Sequence, residues 1–96
     1  MKQGFVYILT NFGESTLYIG VTGNLIQRIE QHKLGLYKGF TKSYKANRLV
    51  YYETYKDNRE AIVREKQLKN WHRKWKINLI NAMNPEMKDL SREIIK

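Results

Sequence analysis

Two runs of aromatic and β-branched residues near the start of the chain constrain its fold more than any other feature of the sequence. The first run is Phe5–Thr10 and the second is Leu17–Val21. The polar segment Asn11–Ser15 lies between them. Such runs favour strands, and a polar segment of this length favours a loop longer than the tightest turns. The chain is therefore predicted to begin with a β-hairpin.

The rest of the sequence indicates helices and one further strand. Asn24 is a predicted N-cap, and Leu25, Ile29 and Leu36 are expected to face the core from the first helix. The elements predicted after the hairpin are a helix from Asn24 to about Leu34, a strand Leu49–Tyr55, a long helix from Arg59 to about Trp75 with Asp57 or Asn58 as its cap, and a helix Lys76–Met83.

The order β-β-α-β-α-α predicts an α/β fold of the α+β type, with helices flanking a small, three-stranded, largely antiparallel sheet. The chain has 96 residues, which suffice for one domain with one modest core. Pro85, the only proline, follows a helical stretch. We therefore assign the domain to residues 1–83 and a C-terminal tail to residues 84–96. The tail is expected either to form a short helix or to fray.

The charge balance indicates a polyanionic partner. The chain has 18 Lys and Arg residues against 9 Asp and Glu residues, a net charge of +9. The segment Lys56–Lys76 alone contains eight basic and three acidic residues. A surplus of this size suggests DNA, RNA or an acidic membrane surface; of these we expect nucleic acid, with DNA favoured over RNA. The alternative is a basic helix face that only keeps the protein in solution.

Several classes of protein are excluded by the composition. No cysteine is present, which removes thiolate metal sites and cysteine nucleophiles. The apolar run at the N-terminus is too short for a signal peptide, and no stretch is long enough to span a membrane. Gly20–Asn24 lacks the Lys–Ser/Thr pair of a phosphate-binding P-loop. We expect a cytoplasmic protein, without a membrane partner and monomeric by default.

The hairpin carries two tyrosines, Tyr7 and Tyr18, that could belong to a site. We expect Thr10 to pair with Leu17. In that register Tyr7 lies opposite Gly20, and the two tyrosines point to the same face. Gly20 would then leave space beside Tyr7 for a phosphate. The alternative is that both tyrosines are ordinary strand formers.

The first helix offers Arg28 and His32, which are four residues apart and therefore neighbours on one face. They flank the apolar pair Leu25 and Ile29 and so border the core. A guanidinium suits a phosphate oxygen, and an imidazole can shuttle a proton. The alternative is a surface arginine beside a half-buried histidine.

Glu65 is the one carboxylate on the predicted core-facing side of the long helix. A carboxylate in such a position is costly unless it is paired or bound to a metal. Mg²⁺ is commonly held by one or two carboxylates together with substrate phosphates and water. The alternative is an ion pair with Arg28 or Lys69. The core-facing side is predicted to contain Ala61, Glu65, Leu68, His72 and Trp75.

Together these side chains form a set suited to phosphodiester hydrolysis, which needs an activated water and neutralisation of charge. Tyr7, or a water that it orients, could act as general base. A phenol acts as a base at neutral pH only beside a cation, such as Arg28, a metal ion or a lysine. Glu65 with a metal ion and Arg28 could neutralise the phosphate.

The same residues, in this order, resemble the motifs of the GIY-YIG nucleases. That superfamily is named after two short strand motifs. Tyr18–Gly20 matches the second motif literally, and Phe5–Tyr7 keeps only the tyrosine of the first. Asn24–Arg28 resembles the helical segment that carries the family's arginine. His32 is similar to a histidine of some restriction-enzyme members. Glu65–Lys69 resembles the segment that carries the family's metal-binding glutamate.

The resemblance extends from about Gly4 to Ile80. The branch that is most similar contains short, single-domain bacterial proteins, and Leu49–Glu53 resembles a segment of that branch. The resemblance implies a divalent-metal-dependent endonuclease that uses one Mg²⁺ or Mn²⁺ ion. Members of the superfamily act in DNA repair, restriction, recombination and intron mobility.

The resemblance also implies roles for individual residues. Tyr7 would activate water, Tyr18 would position the water or the phosphate, Arg28 would stabilise charge, and Glu65 would hold the metal. Val21 departs from the family pattern, because repair-type members carry a lysine after the second motif. One cation that could help to activate a tyrosine is therefore missing.

A set of basic residues is expected to bind the nucleic-acid backbone without reading bases. Two functions remain open: a nuclease that could act in repair or recombination, and a non-catalytic nucleic-acid-binding module that kept the fold. A basic protein-interaction domain is a third interpretation. The predicted contacts to nucleic acid are Lys38, Lys42, Lys45, Lys69, Arg73 and Lys74.

Overall fold

The computed structural model describes residues 2–36 and 45–95. The predicted order β-β-α-β-α-α is confirmed, and a short helix follows in the tail. The strands are β1 (Gly4–Thr10), β2 (Leu17–Thr22) and β3 (Arg48–Tyr55), and the helices are α1 (Leu25–Lys33), α2 (Asn58–Lys69), α3 (Arg73–Met83) and α4 (Ser91–Ile94).

The three strands form one antiparallel sheet with the order β2-β1-β3, so β2 is an edge strand. The predicted register of the hairpin is confirmed, because Tyr7 pairs with Gly20 and Thr10 pairs with Leu17. The pairing of β1 with β3 shifts by one residue between Ile8 and Leu9. The register decides which side chains share a face, since successive residues of a strand point to opposite sides.

Apolar side chains cover both faces of the sheet. One face packs against α2 and α3, and the other packs against α1 and the C-terminal segment. The first face is centred on Val6, Ile8, Ile19, Val50, Tyr51, Ala61, Leu68 and Ile80. The second is centred on Tyr7, Leu9, Leu25, Ile29, Leu49 and Leu90.

Helix α1 begins as predicted but ends in a way that corrects one expectation. The Asn24 side chain accepts a hydrogen bond from the Gln27 amide, which confirms it as the N-cap. The amide of Leu36 donates to the Gln31 carbonyl, and Gly35 has a φ of 70°. This is a Schellman ending, in which glycine tolerates the left-handed conformation and the chain leaves the helix axis. Leu36 is therefore 65% exposed, and its predicted place in the core was wrong.

The prediction of one long helix from Arg59 to Trp75 was also wrong, because the helix is interrupted between α2 and α3. Helix α2 is capped by Asp57, whose side chain accepts from the Arg59 amide. After Lys69 the amide of Trp71 donates to the Leu68 carbonyl three residues back, which tightens the last turn. The break lets Trp71 pack against the core.

His72 and Trp75 were expected on the core-facing side, but both are exposed, and Trp75 keeps 53% of its surface accessible. A continuous helix would carry the apolar side onward with a period of 3.6 residues. The interruption after Lys69 stops this helical periodicity, and His72 is instead the N-cap residue of α3.

The segment after Met83 packs against the sheet. The Asn84 amide group donates to the carbonyls of Val50 and Lys88, and the Leu90 amide donates to the Leu49 carbonyl at 2.7 Å. A short helix in this segment matches one of the two expectations, and the domain boundary at residue 83 stays a prediction. Among the described residues, no helix combines the length and apolar character needed to cross a bilayer.

Candidate functional site

Three aromatic side chains meet on the α1 face of the sheet. The ring centroids of Tyr7 and Tyr18 are 6.3 Å apart, and the His32 ring lies 5.9 Å from the first and 5.7 Å from the second. The Tyr7 hydroxyl is 3.3 Å from Nε2 of His32. The hairpin register and the position of His32 on α1 together produce this cluster, which we call the Tyr–Tyr–His cluster.

The space beside Gly20 is not open to a ligand. A side chain at Gly20 would overlap the hydroxyl and ring of Tyr7. The expectation that Gly20 leaves room for a phosphate is therefore corrected, because the tyrosine opposite it fills that room. Glycine is needed here so that the Tyr7 ring can lie against the backbone of β2.

His32 is held in its neutral form. Burial, together with the positive charge of Arg28, lowers its pKa from 6.5 to about 4. A neutral imidazole has one nitrogen that accepts a hydrogen bond, so His32 can accept one from a phenol. Arg28 lies one turn earlier on α1 and is partly buried, so it adds a fixed positive charge beside the cluster.

The two phenols differ in their access to solvent. Tyr7 is fully buried, whereas Tyr18 keeps part of its surface exposed. A phosphate group that approaches the sheet from solvent therefore meets Tyr18 first. Tyr7 lies behind it, next to His32.

Glu65 belongs to the other side of the sheet. It lies on α2 between Ala61 and Leu68, both of which pack into the core on the face opposite the Tyr–Tyr–His cluster. Its side chain is only 14% exposed, and its carboxylate is 3.1 Å from Nζ of Lys69. Of the two ion-pair partners considered, Lys69 is the one observed.

A cleft at the outer edge of β2 connects the two sides. It has a volume of about 280 Å³. Tyr18 and Lys69 both line it, so the exposed phenol and the partner of Glu65 face the same space. The residues that line this β2-edge cleft are Leu17, Tyr18, Ile19, Lys69 and Lys76.

A larger cleft of about 310 Å³ lies beside the start of α1. Its walls are mostly apolar and include Phe5, Leu25 and Ile26. A third cleft, of about 430 Å³, lies at the C-terminal segment and is lined by Lys88, Asp89, Arg92 and Glu93. Volume alone would favour either of these over the β2-edge cleft, but only the β2-edge cleft combines a tyrosine of the Tyr–Tyr–His cluster with the ion-pair partner of Glu65. The chemistry therefore points to the β2-edge cleft.

The residues near the β2 edge fit a divalent cation that takes most of its ligands from water and substrate. A cation, the Lys69 ammonium, already lies against the Glu65 carboxylate. No group of three or more acidic or histidine ligands occurs in residues 2–36 and 45–95. One carboxylate with water and phosphate oxygens suits Mg²⁺, whereas it does not suit an ion that needs a complete protein cage.

The predicted contacts to nucleic acid are dispersed. Lys38 and Lys42 lie outside the described residues, and Lys45 and Lys74 are exposed. Lys69 lines the β2-edge cleft and is 53% exposed. The guanidinium of Arg73 donates to the Glu14 carbonyl oxygen at 2.8 Å, which fixes the start of α3 to the hairpin loop.

Sequence reasoning missed Lys76. It lies on α3, after the chain has turned, and it lines the same cleft as Lys69. In a single long helix the two lysines would share a side but lie about 10 Å apart along the axis. A signal for the turn was available in Asn70, since asparagine is a poor helix former that favours helix ends.

Sequence reasoning also missed a polar network around Glu53 on β3. Its carboxylate accepts hydrogen bonds from Tyr51, from Tyr55 at 2.7 Å and from Arg64 at 3.0 Å. Burial by itself would raise the pKa of Glu53, but the hydrogen bonds from Arg64 and the two tyrosines outweigh it and lower the pKa. The Arg64 guanidinium also stacks over Trp71 at 5.1 Å. This network joins β3 to α2 on the face away from the Tyr–Tyr–His cluster.

Comparison with known proteins agrees with this geometry. The family described as GIY-YIG catalytic domain matches residues 3–78. A UPF0213 protein of Clostridium perfringens is 37% identical over 92 residues, covering 96% of this chain and 98% of that protein. A UPF0213 protein of Staphylococcus aureus is 35% identical over 80 residues, covering 83% of this chain and 96% of that protein.

The fold also has a counterpart of known structure. The solution NMR structure of a UPF0213 protein from Bacillus halodurans superimposes with a TM-score of 0.59 and 24% sequence identity, covering 94% of this chain and 95% of that one. This likeness supports the fold, and the family match supports a nuclease-type domain. The chain therefore belongs to the GIY-YIG family and, within it, is related to the UPF0213 proteins.

Proposed function

We propose that the protein is a divalent-metal-dependent endonuclease that hydrolyses phosphodiester bonds of nucleic acid, with DNA as the preferred substrate. One observation carries the proposal: Tyr18, the more exposed of the two clustered tyrosines, and Lys69, the ion-pair partner of Glu65, line one cleft at the edge of β2. A strand lying along this edge would place one phosphate near Tyr18 and two lysines, with the Glu65 carboxylate next to one of those lysines. The net charge of +9 favours such a polyanion.

The difference in solvent exposure between Tyr7 and Tyr18 suggests a different role in catalysis for each tyrosine. Tyr18 is the phenol that contacts the attacking water and the phosphate, since it is the one exposed in the cleft. Tyr7 is a positioning residue in this arrangement. Its ring lies against Gly20, its hydroxyl is held by His32, and its ring supports that of Tyr18. Assigning water activation to Tyr7 instead requires that water reach a side chain that is fully buried.

Charge in the reaction is handled by Arg28 and Glu65. The oxygen of water attacks phosphorus, and its proton passes to solvent through the Tyr18 hydroxyl, which accepts one proton as it gives up its own. The bond from phosphorus to the leaving oxygen breaks, and that oxygen takes a proton from solvent. Negative charge grows on the phosphate oxygens, and Arg28 supplies fixed positive charge beside the cluster. Glu65 would hold a divalent ion, which neutralises the phosphate and assists the leaving oxygen when bound.

The test is cleavage of labelled DNA and RNA, single-stranded and branched, with Mg²⁺ or Mn²⁺ and with EDTA. Glu65→Gln is expected to abolish cleavage while binding is kept or improved, because a negative charge facing phosphate is removed. Glu60→Gln is the matched control, since Glu60 is an exposed carboxylate on the same helix. Loss of cleavage in both variants, or in neither, contradicts the role proposed for Glu65.

Tyr18→Phe and Tyr7→Phe separate the roles of the phenols. A larger loss of rate in Tyr18→Phe supports Tyr18 as the group that touches water. A larger loss in Tyr7→Phe returns that role to Tyr7. Both variants keep the aromatic rings, so binding of nucleic acid and the free energy of unfolding serve as checks on folding.

The second candidate function is a non-catalytic nucleic-acid-binding module. The observation that favours it is the burial of Tyr7, which keeps one of the two phenols away from substrate. Salt-sensitive binding without cleavage under any divalent ion would establish this function. A role in DNA repair or recombination is part of the first proposal, and a preference for branched over linear DNA in the cleavage assay would support it.

A further inference from the structure

The β2-edge cleft brings two lysines together from two different helices. Lys69 ends α2, Lys76 lies in the first turn of α3, and the break between the helices turns them toward the same space. Leu17, Tyr18 and Ile19 of the edge strand form the opposite wall. Two ammonium groups beside an aliphatic and phenolic wall suit a phosphate joined to sugars, and they offer nothing that selects a base.

We propose that this cleft is a phosphate subsite in which Lys69 and Lys76 bind the backbone phosphate next to the one that is cleaved, and that Lys69 reaches it by leaving Glu65 when a divalent cation binds there. The inference rests on the proposed function, because it presumes a nucleic-acid strand along the β2 edge. It adds a binding residue, Lys76, and a coupling between metal binding and phosphate binding.

The coupling follows from the unequal positions of the two partners. The Glu65 side chain is 14% exposed and fixed between core residues, whereas that of Lys69 is 53% exposed. Lysine carries its charge on a flexible four-carbon stem, so Nζ can move while the carboxylate stays. A divalent cation at Glu65 repels the ammonium and removes its partner. The Lys69 ammonium then pairs with the backbone phosphate in the subsite in place of the Glu65 carboxylate.

The first measurement is the affinity for Mg²⁺, followed by NMR amide shifts around Glu65 in the absence of nucleic acid. Lys69 competes with the cation for the carboxylate, so Lys69→Ala is expected to bind Mg²⁺ about two- to fivefold more tightly than the control. The control is Lys66→Ala, which removes the same charge from an exposed position on the same helix. Equal affinities of the two variants would overturn the exchange.

The second measurement is the salt dependence of binding to labelled DNA in a Tyr18→Phe background, which removes the hydroxyl assigned to cleavage and keeps the ring in the cleft. Each phosphate contact contributes about 0.7 to 0.9 to the slope of log Kd against log salt. Lys76→Ala is expected to reduce the slope by about this amount with Mg²⁺ and with EDTA. Lys69→Ala is expected to reduce it with Mg²⁺ only, because Glu65 retains the ammonium when the divalent ion is absent.

The outcomes separate this inference from the proposed function. If Lys76→Ala binds DNA as Lys66→Ala does, the cleft holds no phosphate, although cleavage by the unsubstituted protein would still support a nuclease. If Lys69→Ala lowers the slope equally with and without Mg²⁺, Lys69 binds phosphate without the exchange, and the coupling is overturned. If the unsubstituted protein does not cleave but the slopes behave as expected, the subsite stands and the proposed function fails.

Discussion

Tyr7 and Gly20 face each other across the β1–β2 ladder, and the Tyr7 ring occupies the volume that a side chain at Gly20 would need. The hydroxyl of the same tyrosine is 3.3 Å from Nε2 of His32. One strand position without a side chain therefore sets where the buried phenol lies. The geometry of the Tyr–Tyr–His cluster depends on a contact between a ring and the backbone.

Gly20→Ala is expected to lower the free energy of unfolding by about 1–3 kcal/mol, because the added methyl group overlaps the Tyr7 ring in a packed core. Urea denaturation measures this change. Gly13→Ala is the matched control, since a side chain there meets nothing within 4 Å. Replacing Tyr7 by leucine in the Gly20→Ala variant should recover part of the loss. The absence of any recovery would place the strain elsewhere.

The stability of the protein is expected to fall as the pH falls from about 6.5 to about 4. Burial and the charge of Arg28 lower the pKa of His32 from 6.5 to about 4 in the folded protein. In this window the unfolded chain binds a proton that the folded protein does not bind. The contribution of His32 is therefore complete above pH 6.5, and about 2–3 kcal/mol is lost by pH 4.

Urea denaturation at several pH values measures the effect of His32. Protonation of carboxylates with lowered pKa values, such as Glu53 and Asp89, also destabilises the protein at low pH. The unfolding free energies of the variants are therefore compared above pH 4.5. His32→Gln should flatten the profile there, and His72→Gln, at an exposed histidine, should leave it unchanged. If the profile of His32→Gln runs parallel to that of the unsubstituted protein, protonation of His32 is not the cause of the loss.

The Glu53 network is expected to stabilise the fold without taking part in cleavage. Glu53→Gln keeps the shape of the side chain but removes the charge that binds Arg64 and two phenols. We expect a loss of roughly 1–3 kcal/mol in the free energy of unfolding. Glu60→Gln, at an exposed site on α2, should change stability little. A large loss of cleavage by folded Glu53→Gln would show that the network reaches the site.

The C-terminal segment is expected to be part of the folded unit. Leu90 is 8% exposed and packs in the same core cluster as Tyr7 and Leu49. Leu90→Ala should cost about 2–4 kcal/mol of unfolding free energy, because it leaves a cavity. Met83→Ala is the control, since that side chain is 47% exposed. Equal stability of the two variants would support a domain that ends at residue 83.

Local patterns in the sequence predicted the hairpin well. Period-two alternation fixes which residues share a face, and a one-residue slip would expose the core, so the pairing of Tyr7 with Gly20 could be inferred. The cap at Asn24 was also predictable, because its side chain satisfies an amide within the same turn. The break after Lys69 was not predicted, since it depends on how Trp71 packs against distant strands.

The sequence by itself determined the strands, the register of the β1–β2 hairpin, the basic charge and the set of side chains capable of phosphodiester chemistry, because each depends on residue type and short spacings. Only the tertiary structure decided how those side chains meet. It places Glu65 and the Tyr–Tyr–His cluster on opposite faces of the sheet, buries Tyr7, and joins the two sides at the edge of β2 through Lys69 and Tyr18. Long-range packing of two helix layers on one sheet sets these positions, and no local pattern contains that information.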